Sequence, residues 1–191
     1  MQLFAAQYHS PIGPITLAWN SQSLTGLWLE NQKYFGGGQA LPCLASPSPC
    51  QEELSLFRLA SAWLDSYFAG EQPDPARLPL APAGSPFRQQ VFALLLAIPY
   101  GHTTTYAKLA EKLGRPGASR AVGGAVGHNP ISIIIPCHRV VGAGGSLTGY
   151  AGGTEKKRWL LQREGVPLEQ LPQGNGWRVV QARPFSLTGW Q

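Results

Sequence analysis

TYAKLAEKLGRPGASRAVGGAVGH, residues 105–128, is the stretch on which the fold turns. Thr105 has the side chain of a helix N-cap, and the residues from Tyr106 to Leu113 favour a helix that stops at Gly114. Arg115-Pro116-Gly117 reads as a turn, and a second helix follows from Ala118 to about His128. Two short helices across a tight glycine turn form a helix-turn-helix pattern. The second helix is nearly bare, because Ala118, Ser119, Ala121, Gly123, Gly124, Ala125 and Gly127 leave it few side chains. Three glycines at roughly 1 kcal/mol each relative to alanine are a cost that helix propensity does not explain. Close approach to another backbone, of protein or of nucleic acid, explains them, with tight packing on a neighbouring helix as the competing reading. Arg120 is the one long side chain near the start of this helix, where a cation is disfavoured by the helix dipole.

Upstream, Ser85-Pro86 supplies an N-cap followed by proline at the first helical position, and Phe87, Val91, Leu94, Leu95 and Ile98 make one apolar face that ends at Pro99. Downstream, the β-branched run Ile131–Ile135 predicts a short buried strand or extended segment, and Pro136-Cys137-His138-Arg139-Val140-Val141 follows at once. The thiolate is the reactive form of cysteine, and a basic or cationic neighbour favours it. His138 and Arg139 are such neighbours; a cysteine packed at a polar strand end is the plainer alternative. Beyond them, 143–146 and 149–153 are loops flanking Tyr150. Thr154 is expected to cap a last helix, Glu155 to Glu164, with Trp159, Leu160 and Leu161 inward and Gly165 as its stop. Lys156-Lys157-Arg158 reads as the surface of that helix, and Trp177-Arg178-Val179-Val180 has strand character with no assignable role.

The first half has a different texture. Ser10–Trp19 and Leu24–Leu29 read as two strands joined through Asn20-Ser21-Gln22-Ser23, residues 35–50 as a loop, and Gln51–Phe68 as a helix ending before Gly70. The proline-rich segment Pro73–Gly84 is a linker. The expected fold class is therefore α+β, with an antiparallel-sheet domain over 1–84, a mainly helical domain carrying the helix-turn-helix and an active-site loop over 85–166, and an extension over 167–191. With 191 residues and 43% hydrophobic content the chain can bury a core without staples. Three cysteines (Cys43, Cys50, Cys137) without Cys-x-x-Cys spacing argue against a disulfide framework, and no metal-ligand cluster is evident, so no metal is expected. No 18-residue apolar run or signal-like N-terminus is present, and a cytoplasmic protein with no membrane partner is expected. Charge is lopsided: residues 1–85 hold three basic and six acidic side chains, a net of −3, and residues 86–191 hold twelve and four, a net of +8. The basic half is the half with the motifs, which suits a polyanionic partner; ordinary solubility would also account for it.

Several of these elements occur together and in order: Ile98-Pro99-Tyr100-Gly101, Tyr106, Ser119-Arg120-Ala121-Val122-Gly123, Asn129-Pro130, Pro136-Cys137-His138-Arg139-Val140, Gly149-Tyr150-Ala151-Gly152-Gly153 and Glu164. Over about 85–165 the chain thus resembles the O6-alkylguanine-DNA alkyltransferases. The resemblance implies that Cys137 takes an alkyl group from guanine O6 (with O4-alkylthymine as the alternative base), that His138 accepts the thiol proton through a water, and that Glu164 orients the imidazole. It implies that Asn129 braces the turn at the site and that Tyr106 donates to the departing base. An extruded nucleotide is implied too, since O6 is out of reach of an in-line thiol within the stack. Arg120 would fill the space left behind, with Ala118, Ala121, Gly123 and Gly124 against the minor groove. Val140, through its carbonyl, and Tyr150 and Ala151 would line the base pocket. In many relatives a serine follows the loop tyrosine, so Ala151 removes a hydroxyl. The implied partner is double-stranded DNA carrying O6-alkylguanine, bound by a monomer without cofactor. A thioether product implies one turnover per molecule.

Overall fold

A computed structural model of the chain describes residues 2–38, 41, 54–172 and 176–180. They form two compact units. One comprises Met1–Ala83 with Pro130–Ile134, and the other Gly84–Asn129 with Ile135–Gln191.

The first unit is an antiparallel sheet of β1 (Phe4–Ser10), β2 (Gly13–Trp19) and β3 (Leu24–Leu29) with one helix, α1 (Ser55–Ala69). The predicted hairpin is present, and Asn20 makes its turn by accepting from the amides of Gln22 (2.8 Å) and Ser23 (2.9 Å). β1 is not legible in the sequence. Its residues are small or half-exposed, and it gains strand character only by pairing with β2 along its whole length, from Phe4 opposite Trp19 to Ser10 opposite Gly13. α1 buries Ala60, Trp63, Leu64 and Tyr67 and ends at Gly70, as expected, with φ +95°. Leu59, one position before the buried Ala60, is 44% exposed. Residues 51–53 of the expected helix, and Cys43 and Cys50, lie outside the described residues.

The run Ile131–Ile135 corrects the sequence reading. It is fully buried, but only Ile131 bridges to a strand, at Leu27, through Leu27 N–H to the Pro130 carbonyl (2.8 Å) and Ser132 N–H to the Leu27 carbonyl (2.9 Å). The chain then turns, with Ile133 at φ +68°. A β-branched residue in that region is strained, and proline at 130 and 136 removes two ladder donors, so no strand propagates.

The second unit opens with α2 (Pro86–Leu96), whose N-cap Ser85 accepts from the Arg88 amide, as the sequence predicts. β4 (Thr104–Thr105) leads into α3 (Tyr106–Lys112), capped by Thr105 accepting from the Lys108 amide (3.2 Å). The turn passes Gly114 and Gly117 at φ +67° and +91°, and α4 (Ser119–Gly127) follows. The helix-turn-helix is therefore as read. After a single turn of 3-10 helix at Cys137–Arg139 comes β5 (Val140–Val141), parallel to β4, a pairing too short and too remote in sequence to be foreseen. α5 (Thr154–Arg163) starts one residue earlier than expected. Gly153, at φ +91°, occupies the cap position, so Thr154 is already helical. The tail forms a hairpin of β6 (Leu168–Gln170) and β7 (Trp177–Val179).

Candidate active site

Two prolines and a buried amide set the position of the thiol. Asn129, 2% exposed, donates its side-chain amide to the Ile135 carbonyl (2.8 Å), closing the excursion 130–134 from the side of the second unit. The Cys137 amide donates to the same carbonyl (2.8 Å), and Cys137 is itself buried, 3% exposed. The next residue starts a polar network that is almost wholly removed from water. His138 Nε2 lies 2.7 Å from Glu164 Oε1, with both side chains fully buried. Arg139 binds the same carboxylate through Nε to Oε2 (2.8 Å) and a terminal nitrogen to Oε1 (2.9 Å), and its other terminal nitrogen donates to the Ile98 carbonyl (2.5 Å). The Gly101 amide adds a fourth donor, to Oε2 (3.1 Å). Such a fork of charge-assisted bonds satisfies both carboxylate oxygens, the condition under which a buried ion pair is tolerated.

The protonation states follow from this arrangement. Burial alone would push the Glu164 carboxyl up, but the hydrogen bond from His138 and the charge and hydrogen bonds of Arg139 outweigh it and hold the group well below the usual carboxylate range. Burial pushes the His138 imidazole down, against the pull of Glu164 and with Arg139 and Lys157 acting in the same direction. A neutral imidazole whose Nε2–H donates to a carboxylate carries its lone pair on Nδ1, and so is a base. Tyr106 stays a proton donor, because burial and the neighbouring Cys137 charge push its hydroxyl up to about 12. That hydroxyl donates to the carbonyls of Thr148 (3.4 Å) and Gly149 (3.3 Å).

Lys157 overturns one sequence reading. It is not helix surface: its side chain is fully buried, and its ammonium donates to the carbonyls of Val140 (2.5 Å) and Thr148 (2.9 Å). The signal was present in the spacing, since 157 lies three, four and seven residues before the buried Leu160, Leu161 and Glu164 on one helix face. Burial pushes the amine down to about 8, opposed by the Cys137 sulfur. Below that pH the folded and unfolded chains both hold this proton. Between about 8 and the ordinary lysine range the unfolded chain holds more, so stability should rise with pH. A gain of about 2 kcal/mol from pH ~7 to ~9.5 is expected in urea unfolding, and Lys157→Met should remove that increment.

Of the other predicted residues, Tyr150 and Ala151 are half-buried in the turn closed by the Gly153 amide to the Tyr150 carbonyl (3.0 Å), and the Val140 carbonyl is engaged by Lys157. Arg120, Ala121 and Gly124 lie on the exposed face of α4, opposite the buried Val122, Ala125 and Val126, with Ala118 and Gly123 half-buried beside them. A methyl group added at Gly124 or Gly127 would meet no atom within 4 Å, and one at Gly123 would make only ordinary contact with the Tyr106 ring (3.8 Å). Packing among the described residues therefore does not require the glycines of α4. Among the described residues no group of His, Cys, Asp and Glu could hold a metal ion, and no helix is long and apolar enough to cross a membrane.

Known proteins share this arrangement of sequence and fold. Residues 3–82 match the family described as 6-O-methylguanine DNA methyltransferase, ribonuclease-like domain, and residues 86–166 match 6-O-methylguanine DNA methyltransferase, DNA binding domain. A methylated-DNA–protein-cysteine methyltransferase of Haemophilus influenzae is 40% identical over 168 residues, covering 86% of this chain and 88% of that protein. The crystal structure of Mycobacterium tuberculosis O6-methylguanine methyltransferase superposes with a TM-score of 0.71 at 44% identity, over 85% of this chain and 93% of the other. The structure of the same organism's OGT in complex with DNA gives 0.69 at 44% identity, over 84% and 92%.

Proposed function

Because this chain belongs to the 6-O-methylguanine DNA methyltransferase family, we propose that it repairs DNA by moving the alkyl group of O6-alkylguanine onto Cys137, each molecule acting once. Its partner is DNA, and its activity is that of a methylated-DNA–protein-cysteine methyltransferase. The observation that carries the assignment of roles is the buried chain Cys137, His138, Glu164, Arg139, in which a neutral imidazole stands next in sequence to the thiol and is fixed by a fully bonded carboxylate. His138 accepts the thiol proton, and the thiolate attacks the alkyl carbon. The carbon–oxygen bond breaks with its electron pair going to the base, and Tyr106 supplies a proton as charge develops there. Lys157 holds the Val140 and Thr148 carbonyls that border the pocket, and its charge favours the thiolate. Guanine is restored and a thioether remains.

The slim face of α4 supports contact with duplex DNA carrying the lesion, since no atom of the described residues fills the space that Gly124 and Gly127 leave open. Arg120 stands at the start of that face and would occupy the gap left by an extruded nucleotide. The same reading has the chain act as a monomer in the cytoplasm, where the Cys137 thiol stays reduced.

A duplex oligonucleotide with one O6-methylguanine tests this. Restored guanine should plateau at one equivalent per protein molecule; continued turnover would exclude a thioether end product. Arg120→Ala should slow transfer from the duplex by about tenfold or more while leaving transfer from free O6-benzylguanine within about twofold. An equal loss on both substrates would remove Arg120 from the extrusion step.

A further inference from the structure

The tail hairpin lies beyond residues 86–166, the part that matches the DNA-binding domain family. It is attached to the loop that ends in the Tyr106 acceptors. The Leu147 amide donates to the Trp177 carbonyl (2.8 Å), and Ser146 and Arg178 form an antiparallel bridge, so residues 146–147 lie against β7 as a further extended segment. The approach is close: a methyl group on Gly145, at φ +80°, would stand 2.8 Å from the Val179 carbonyl oxygen. Val179 packs in one buried cluster with Val141, Leu147, Leu161 and Val166, flanked by Leu168 and Trp177. The hairpin is also held to α5, where the Arg158 guanidinium lies 4.7 Å from the Trp177 ring and is paired with Glu155 (2.7 Å).

The loop needs such support. Ala143-Gly144-Gly145-Ser146 is itself held by short-range backbone bonds, Gly142 N–H to the Ser146 carbonyl (2.8 Å), Gly145 N–H to the Gly142 carbonyl (3.1 Å) and a long one from Ser146 N–H to the Ala143 carbonyl (3.4 Å), and two successive glycines at positive φ give it much freedom to lose. One and two residues beyond Leu147 are the carbonyls of Thr148 and Gly149, which receive the Tyr106 hydroxyl and, at Thr148, the Lys157 ammonium. We propose that the C-terminal hairpin is a positioning element for alkyl transfer: by pairing with 146–147 and anchoring on α5 it fixes the carbonyls that aim Tyr106 and Lys157 at the Cys137 site. The inference rests on the alkyl-transfer reading above.

Arg178→Pro in the full chain tests it, because proline breaks the β7 pairing while the side chain it replaces is exposed. Arg178→Ala keeps the backbone and serves as control. With Arg178→Pro, methyl transfer at saturating duplex should slow by about tenfold or more, duplex affinity should stay within about twofold, and the Leu147 amide should lose its protection from hydrogen exchange. The Ala variant should match the unsubstituted chain. Combined with Tyr106→Phe, the loss should be smaller than the product of the two single losses, since the hairpin acts through that hydroxyl. An unchanged rate with the Leu147 amide exposed, a parallel fall in rate and duplex affinity, or fully multiplicative losses would each overturn the proposal. If the Pro variant does not fold, Val179→Ala carries the test. Transfer slowed about threefold or more at unchanged affinity supports the role, and an unchanged rate overturns it. Failure of the unsubstituted chain to take up methyl would instead refute the alkyl-transfer reading, and is seen in the control.

Discussion

Cys137→Ser is expected to lower alkyl transfer by at least about a thousandfold, with duplex affinity and melting temperature nearly unchanged. Serine is almost the same shape, so the buried turn at 136–139 is undisturbed. The difference is chemical: a hydroxyl holds its proton far more tightly than a thiol, so the imidazole generates far less of the anion, and the oxygen is the poorer nucleophile toward an alkyl carbon. Single-turnover repair of a methylated duplex, beside fluorescence anisotropy of the same duplex, separates loss of chemistry from loss of binding. Substantial repair by the serine variant would mean that the acceptor is another residue.

Glu164→Gln should have the largest effect on the fold. The carboxylate receives four donors, from His138, Arg139 twice, and the Gly101 amide. An amide is isosteric but turns an NH2 group toward donors and leaves the Arg139 charge buried without a counterion. Breaking a buried pair this way costs about 3–5 kcal/mol, a fall in melting temperature on the order of 10 °C. Transfer should slow at least about tenfold, since His138 loses the group that fixes its tautomer. Glu164→Asp should recover part of both. The pH dependence has a definite sign. Because the Glu164 carboxyl is held below its ordinary value, its contribution is present above the usual carboxylate range and is lost as pH falls beneath it. The Gln variant should therefore show a shallower loss of stability on acidification, measured by denaturant unfolding between pH ~7 and ~3. An unchanged acid profile would mean that this carboxylate does not anchor the site.

Local chemistry made much of this protein readable. Capping by Ser85 and Thr105, the glycine turn before α4 and the Cys137-His138 pair each act over a few residues, so their consequences appear directly in the chain. The features that escaped reading depend on partners distant in sequence. β1 exists through β2, the two-residue β4 through β5, and the Ile131–Ile135 run turns at Ile133, φ +68°, after its one bridge to Leu27. Lys157 is the most instructive residue. Between Lys156 and Arg158 it looks like solvent-facing charge, yet its phase matches Leu160, Leu161 and Glu164, and phase prevails because two backbone carbonyls stand ready to receive the ammonium. Arg139, first read as a cation beside the thiol, spends its hydrogen bonds on Glu164 and Ile98 and so acts on the site through the carboxylate.

Peptide mass spectrometry of the unsubstituted chain after incubation with a duplex containing O6-methylguanine bears most directly on the central claim. One added methylene, located on Cys137 in the peptide spanning residues 136–139 and in proportion to guanine restored, is the predicted result. A restored guanine with an unmodified Cys137 peptide, or a methylene found elsewhere in the chain, would contradict it.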